Sequence, residues 1–258
     1  MIVFYFLHIG VLNIATFETT TNKFMLDTIP FNVSILSPHH ITRKENIWSQ
    51  RQNAYLNYAK NTNPDRVIFF IDARDITWGG CERNLIEEFL KMNKSVVFGA
   101  EAGCWPVSSN LCKKFPQLLH SLYTRNEWNK FMNCDLTCTA SPDYKFLNGG
   151  FIGGRAKDLV KLFTKSTHEK WKGKNDQERF INIYLNYHKR LNYGLDTEGI
   201  FSVQMQRMKS TAFYIKNKKL YSKLLKKSVC FLHGNGDGKE LVRYFQHKIE
   251  SKRLHVRS

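Results

Sequence analysis

The sequence has no apolar run near the roughly 20 residues that a bilayer-spanning helix needs. Its apolar start, Met1 to Gly10, also lacks a basic leader and an obvious cleavage site. That start reads as a first strand or a clipped leader, and a soluble domain is expected. The six cysteines, Cys81, Cys104, Cys112, Cys134, Cys138 and Cys230, contain no CxxC pair and no His/Cys spacing typical of structural zinc, which speaks against a zinc site. Cys104 with Cys112, or Cys134 with Cys138, would suit short-loop disulfides in an oxidising compartment, and free buried thiols account for them equally well. There is no Pro/Gly/Ser-rich linker, repeat or low-complexity tract, so one domain is expected over 1–258, with its core at about 11–244. Acidic residues are scarce: 22 Asp and Glu face 39 Lys and Arg, a formal net charge of +17 that favours anionic partners. Much of the excess falls late, at Lys216 to Lys219, Lys223 to Lys227 and Lys248 to Arg257, and reads as a solvated basic face rather than a nucleic-acid site.

What is present is an alternation of two periodicities. Val11 to Ala15, Asn32 to Leu36, Val67 to Ile71, Ser95 to Ala100 and Cys230 to Leu232 read as strands. Ile47 to Lys60, Cys81 to Met92 and Ala156 to Thr167 carry helix-spaced apolar residues. The alternation predicts an α/β fold, a mostly parallel sheet flanked by helices, with ligands gathering at the carboxyl ends of the strands. Cys104 to Tyr144 reads as a helix-containing excursion over one face, on the acceptor side.

Three segments carry chemistry. The apolar strand Val67-Ile68-Phe69-Phe70-Ile71 ends in Asp72-Ala73-Arg74-Asp75, two carboxylates that would repel unless a cation or several donors sat between them. A hard divalent ion suits that pair, though Asp72 capping a turn and Asp75 pairing with a lysine would suit it equally. In Phe231-Leu232-His233-Gly234-Asn235-Gly236-Asp237-Gly238-Lys239 a strand runs into a glycine-rich loop. Glycines such as Gly236 let backbone approach a phosphate, Lys239 can neutralise its charge, and His233 can offer a nitrogen to a metal. A structural histidine before a glycine turn fits the same residues. In Lys145-Phe146-Leu147-Asn148-Gly149-Gly150-Phe151-Ile152-Gly153-Gly154, bare backbone at Gly149 and Gly150 would let a sugar ring lie against the chain with Asn148 bonding its hydroxyls. A tight turn without a ligand remains open there. No G-x-G-x-x-G follows a first strand, so this is not a dinucleotide fingerprint.

Together these segments resemble the glycosyltransferase domain of the lysyl hydroxylase (procollagen lysine dioxygenase) family, a GT-A-like, Rossmann-type fold that handles collagen hydroxylysine. The likeness runs from about Val11 to about Tyr244. It adds Val97-Phe98-Gly99-Ala100-Glu101 with Cys104-Trp105-Pro106, Asn175-Asp176-Gln177, and Leu195-Asp196 with Ile200-Phe201 to the segments above. The resemblance implies Mn²⁺ held by Asp72, Asp75 and His233, with UDP-glucose or UDP-galactose as donor and its diphosphate bridging the ion. Trp105 would line the sugar or acceptor pocket and Asp176 would lie at the reacting centre. A core tryptophan and a helix-start acid favoured by the dipole are the plainer accounts of those two. The implied acceptor is hydroxylysine or galactosyl-hydroxylysine of a collagen-like polypeptide. The implied compartment is the endoplasmic reticulum lumen, with the cytoplasm left open by the lack of a clear signal peptide.

Two departures bear on catalysis. Arg74 replaces a residue that is usually aromatic in the family, and is expected to contact phosphate or stack on uracil instead. Asn175 leaves Asp176 as the sole acid of its motif. These departures motivate a competing reading, a catalytically weak UDP-sugar-binding module, while the basic charge motivates sugar transfer to a nucleic acid. Arg51 falls near where the family places a basic residue for the diphosphate, with a solvated helix arginine as the default. The hydroxylase half of the family is missing from this sequence.

Overall fold

In a computed structural model, residues 12–18, 28–37, 46–116, 124–133, 144–171 and 174–254 are described. The main sheet contains β1 (Asn13–Phe17), β2 (Val33–Leu36), β3 (Val67–Ile71), β5 (Val96–Glu101), β6 (Phe146–Arg155) and β7 (Tyr193–Asp196). Their order is β2-β1-β3-β6-β5-β7. Pairs β1·β2, β1·β3 and β5·β7 are parallel, whereas β6 runs antiparallel to both neighbours. The expected mostly parallel sheet is therefore present, with the glycine-rich run as its one reversed strand rather than a tight turn. Every residue of β3 is buried, as its unbroken apolar sequence requires of a strand covered on both faces.

Helices cover the sheet. On one side α1 (Ile47–Lys60), α5 (Ala156–Ser166) and α6 (Asp176–Leu191) enclose Tyr55, Phe70, Phe98, Leu159, Phe163 and Phe180. On the other, Phe69, Phe151, Phe201 and Phe231 pack with Trp78 and Phe89. Phe89 belongs to α2 (Leu85–Lys91), which starts later than Cys81 because Asn84 caps it, accepting from the N–H groups of Ile86 and Glu87. Within the 104–144 excursion, α3 (Ser109–Cys112) and α4 (Arg125–Phe131) are helical, the latter opened by a Thr124/Glu127 capping box. Cys134 and Cys138, and the Met1 to Gly10 start, lie outside the described residues. No helix among the described residues is long and apolar enough to cross a membrane.

A second, three-stranded sheet is built from β4 (Ile76–Trp78), β8 (Ser202–Gln204) and β12 (Phe231–His233), in the order β4-β12-β8, with α7 (Gly238–Leu254) following. Its register pairs His233 with Ile76 on one side and with Gln204 on the other. A third sheet, of β9 (Phe213–Lys216), β10 (Lys219–Ser222) and β11 (Lys227–Ser228), packs Phe213 against Phe245 of α7.

Cys104 and Cys112 are bridged, and so are Cys81 and Cys230, which lie 149 positions apart in sequence. The long bridge ties the segment after β4 to the start of β12, the strands that present Asp75 and His233. Replacing both Cys81 and Cys230 by serine is expected to cost roughly 2–5 kcal/mol, because the unfolded chain regains a long loop's entropy. Denaturant unfolding of the double variant should show that loss, with a larger m because the unfolded chain is less compact, and reductant should shift the native protein toward it.

Candidate functional site

The strands' carboxyl ends open into a cleft of about 580 Å³, within the usual range for small-ligand sites. Asp72, Arg74, Asp75, Trp105, Asn148, Gly149, Gly150, Asp176, His233, Gly236 and Lys239, every site residue expected above, line it together with Arg51 and Glu101. Strand register explains the convergence. Ile71 pairs with Phe151, so the next residue, Asp72, donates its backbone N–H to the Gly150 carbonyl at 3.1 Å. Immediately past β12, Gly234 donates to the Asp75 carbonyl at 2.6 Å, which sets the imidazole beside the Asp72–Asp75 turn.

His233 Nε2 lies 3.1 Å from Asp72 Oδ2. On the ring's far side Nδ1 donates to Gln204 Oε1, and Gln204 in turn donates from Nε2 to Ser202 Oγ at 3.1 Å, which orients the amide. That arrangement commits Nδ1–H to Gln204, so the Nε2–Asp72 contact is closed by an imidazolium proton, through which His233 helps keep Asp72 ionised, or by a cation in that proton's place. A divalent cation held there would take the imidazole nitrogen and the carboxylate oxygen as ligands. Asp75 lines the same cleft but is bonded to Lys239, and among the described residues no three His, Cys, Asp or Glu side chains are grouped closely enough to hold a metal ion as they stand. The ring has its space because position 150 is glycine: a Cβ there would come within 2.1 Å of His233 Cε1.

The chain's own cations neutralise the carboxylates. Arg51 Nη1 donates to Asp72 Oδ1 at 2.8 Å, and Nε to Asp176 Oδ2 at 2.7 Å. Its side chain is only 17% exposed and it stacks over Trp48 at 5.2 Å, so the expected solvated helix arginine is instead a buried bridge. A helix-spaced arginine gives no sign of this, because both partners come from distant strand and helix ends. Burial tends to raise the Asp72 carboxyl pKa, but Arg51 and His233 outweigh it and hold the value at about 2. Lys239 pairs with Asp75 at 3.0 Å, as the plainer account of Asp75, an acid paired with a lysine, expects. Arg74 is taken up by Glu18, which accepts from its Nε at 2.9 Å and from its Nη2 at 2.6 Å.

Asn175, noted as a departure, is the N-cap of α6: its side chain accepts from the N–H groups of Gln177 and Glu178. Asp176 is therefore both the helix-start acid and a cleft residue. Trp105 is not a core residue, since it stands 59% exposed at the cleft.

The residue whose role the sequence left unassigned is Glu101. It ends β5 as Asp72 follows β3, and an acid closing an apolar strand was the signal available. Its Oε1 accepts from Asn148 Nδ2 at 3.2 Å and Gln177 Nε2 at 2.8 Å, and its Oε2 from Asn235 Nδ2 at 2.7 Å. Each amide then uses its oxygen on backbone: Asn148 for Gly150 N–H, Gln177 for Gly149 N–H, Asn235 for Gln206 N–H. One carboxyl thus joins β6, the start of α6 and the loop after β12. Burial pushes it up to about 8 against those three donors. Asp196, by contrast, is a loop clamp, accepting from the backbone N–H groups of Ile200, Phe201 and Ser202.

An α/β domain with two acids and a histidine at its strand ends, above a cleft of nucleotide-sugar size, has the architecture of a GT-A-like glycosyltransferase. A crystal structure of a glycosyltransferase involved in glycosylation of the major capsid of PBCV-1 shares this fold, with a TM-score of 0.51 at 11% identity, covering 91% of this chain and 100% of that one. The family profile described as the PLOD GT domain matches residues 52–135 and 135–255, and the chain belongs to that family. It is a glycosyltransferase domain related to the collagen glycosyltransferases. The multifunctional procollagen lysine hydroxylase and glycosyltransferase of Caenorhabditis elegans is 26% identical over 189 residues, 70% of this chain and 22% of that protein. The human LH3 protein of the same description is 24% identical over 127 residues, 47% of this chain and 13% of that protein. The chain thus matches only a minor part of each relative's length.

Proposed function

We propose that the cleft binds a UDP-sugar together with Mn²⁺ and transfers glucose or galactose to a hydroxyl, that of hydroxylysine or galactosyl-hydroxylysine in a collagen-like polypeptide. The observation that carries the reading is the His233 Nε2 to Asp72 Oδ2 approach of 3.1 Å, with Nδ1–H committed to Gln204 and with Asp75 lining the same cleft. Asp72, Asp75 and His233 would hold the ion, whose contribution when bound is Lewis-acid stabilisation of charge on the leaving diphosphate. Lys239, and Gly236 through its backbone, face the phosphates. Gly149 and Gly150 line the cleft, and Asn148, whose amide is bonded to Glu101 and to Gly150 N–H, fixes their backbone beside the sugar rather than reaching its hydroxyls. Asp176 orients the acceptor hydroxyl and takes its proton, with Arg51 holding that carboxylate in place. Trp105 offers an exposed ring face to acceptor or sugar. Arg74, engaged by Glu18, stands at the nucleotide end.

The test is incubation with UDP-glucose and with UDP-galactose, Mn²⁺ and a hydroxylysine-containing peptide. Transfer that chelator abolishes and Mn²⁺ restores is the expected result. Metal-dependent UDP binding without turnover on any such acceptor would select the binding-module reading instead.

The Gln204 contact makes its own prediction. Gln204→Leu removes the partner that orients the imidazole, and Mn²⁺ affinity is expected to fall about 10–100-fold, the usual cost of losing such a support. Calorimetric titration of Mn²⁺ in the presence of UDP measures it directly, and an unchanged affinity would refute the role given to Gln204.

A further inference from the structure

Both carboxylates assigned to the cation carry a counter-charge from the chain itself, and the two counter-charges differ in kind. Arg51 is wedged between Asp72 and Asp176, its guanidinium buried and committed to both. Withdrawing it would strip Asp176 of its ion pair and leave Asp72 to His233. Lys239 bonds Asp75 alone, its side chain is 49% exposed, and it stands in the first turn of α7 on a flexible four-carbon stem. It can leave Asp75 without any movement of backbone. Its ammonium thus occupies a position at Asp75 that a cation held by this carboxylate would also need. Two like charges do not share that position at low cost. Lys239, Asn235 and Gly236 all line the cleft, where an entering diphosphate would offer Lys239 an alternative anion.

We propose that Lys239 is an exchangeable counter-ion: it neutralises Asp75 while the cleft is free of ligand and transfers to the diphosphate when a nucleotide enters, releasing Asp75 to the cation. The exchange deepens the function proposed above and depends on it. Its consequence is reciprocal coupling. The nucleotide raises affinity for the cation by removing its internal competitor, and the cation raises affinity for the nucleotide by the same factor. A diphosphate that merely bridges the ion would also couple the two, but that part of the coupling does not pass through Lys239.

Mn²⁺ titrations followed by the paramagnetic resonance signal of the free ion, with and without UDP, separate the two contributions in the native protein, Lys239→Met and Lys239→Arg. The native protein is expected to bind Mn²⁺ weakly alone and about tenfold or more tightly with UDP, the scale of ordinary coupling between sites. Lys239→Met should bind Mn²⁺ alone more tightly than the native protein and show a smaller gain from UDP. Lys239→Arg, which keeps an exchangeable cation, should restore both native behaviours. Native Mn²⁺ affinity in Lys239→Met, or an unchanged gain from UDP, overturns the exchange while leaving the cation reading intact. Failure of all three proteins to bind Mn²⁺ even with UDP overturns the cation reading, and the exchange with it.

Discussion

Asp72→Ala is expected to lower kcat/KM for sugar transfer by roughly 10³-fold, several kcal/mol of transition-state stabilisation, because it removes both an assigned ion ligand and a partner of Arg51. The second loss must be separated from the first. Asp72 accepts from Arg51 at 2.8 Å, and the truncation leaves that buried guanidinium to Asp176 alone. Asp72→Asn keeps the volume and one acceptor oxygen for Arg51, yet supplies no charge to a cation. If the site acts as proposed, Asp72→Asn should melt close to the native temperature and still lose nearly all Mn²⁺-dependent turnover. Transfer at the native rate by Asp72→Ala, shown to be folded by circular dichroism, would remove the basis for the enzyme reading. The native pair also has a signature in pH. Because the folded carboxyl lies at about 2, below its unfolded 3.8, its stabilising contribution is complete above 3.8 and is lost as pH falls toward 2.

Glu101→Gln should be nearly as damaging, although the change swaps a single atom. The carboxyl receives three N–H donors from Asn148, Gln177 and Asn235, and an amide offers only one acceptor oxygen, with an NH₂ in place of the other. At least one donor is then left facing another donor in a buried site, at a cost of about 1–3 kcal/mol. Through those three amides the displacement reaches the backbone of Gly149, Gly150 and Gln206, so turnover is expected to fall about 10²-fold, as when a binding group is misplaced by about 1 Å. The pH dependence of stability distinguishes Glu101 from Asp72 by its sign. A carboxyl raised from 4.5 to about 8 binds a proton in the folded state that the unfolded state has released, so it costs stability as pH rises from 4.5 to 8 and levels off above. Melting temperatures of the native protein should decline relative to those of Glu101→Gln across that window. Parallel curves for the two proteins would contradict the burial of an ionisable group at this position.

Much of this was legible in the residues. The apolar run Val67 to Ile71 could only be a strand covered on both faces, and the acids that follow it had to stand at its carboxyl end. The helix over Ile47 to Lys60 has the expected bounds, although Gln50 and Gln52 are among its buried residues and Ile47 is exposed. Ordered motifs sufficed for the family, and for the list of cleft residues from Asp72 to Lys239. What they could not reveal was who pairs with whom. Arg51 has the look of any solvated helix arginine until α1 is laid against the strand ends, where two carboxylates from positions 21 and 125 residues away meet it.

The same division holds for the remaining features. Local sequence determined the α/β alternation, the caps at Asn84, Asn175 and Thr124, and the chemistry available at each strand end, because these depend on neighbours within a few residues. Only the tertiary structure decided the reversed direction of β6, the Cys81–Cys230 bridge, the hub at Glu101 and the partner of His233 Nδ1. Each of those depends on which distant segments the chain's connections bring into register. Pairing across more than a hundred residues is set by the packing of the whole core, and no spacing along the chain records it.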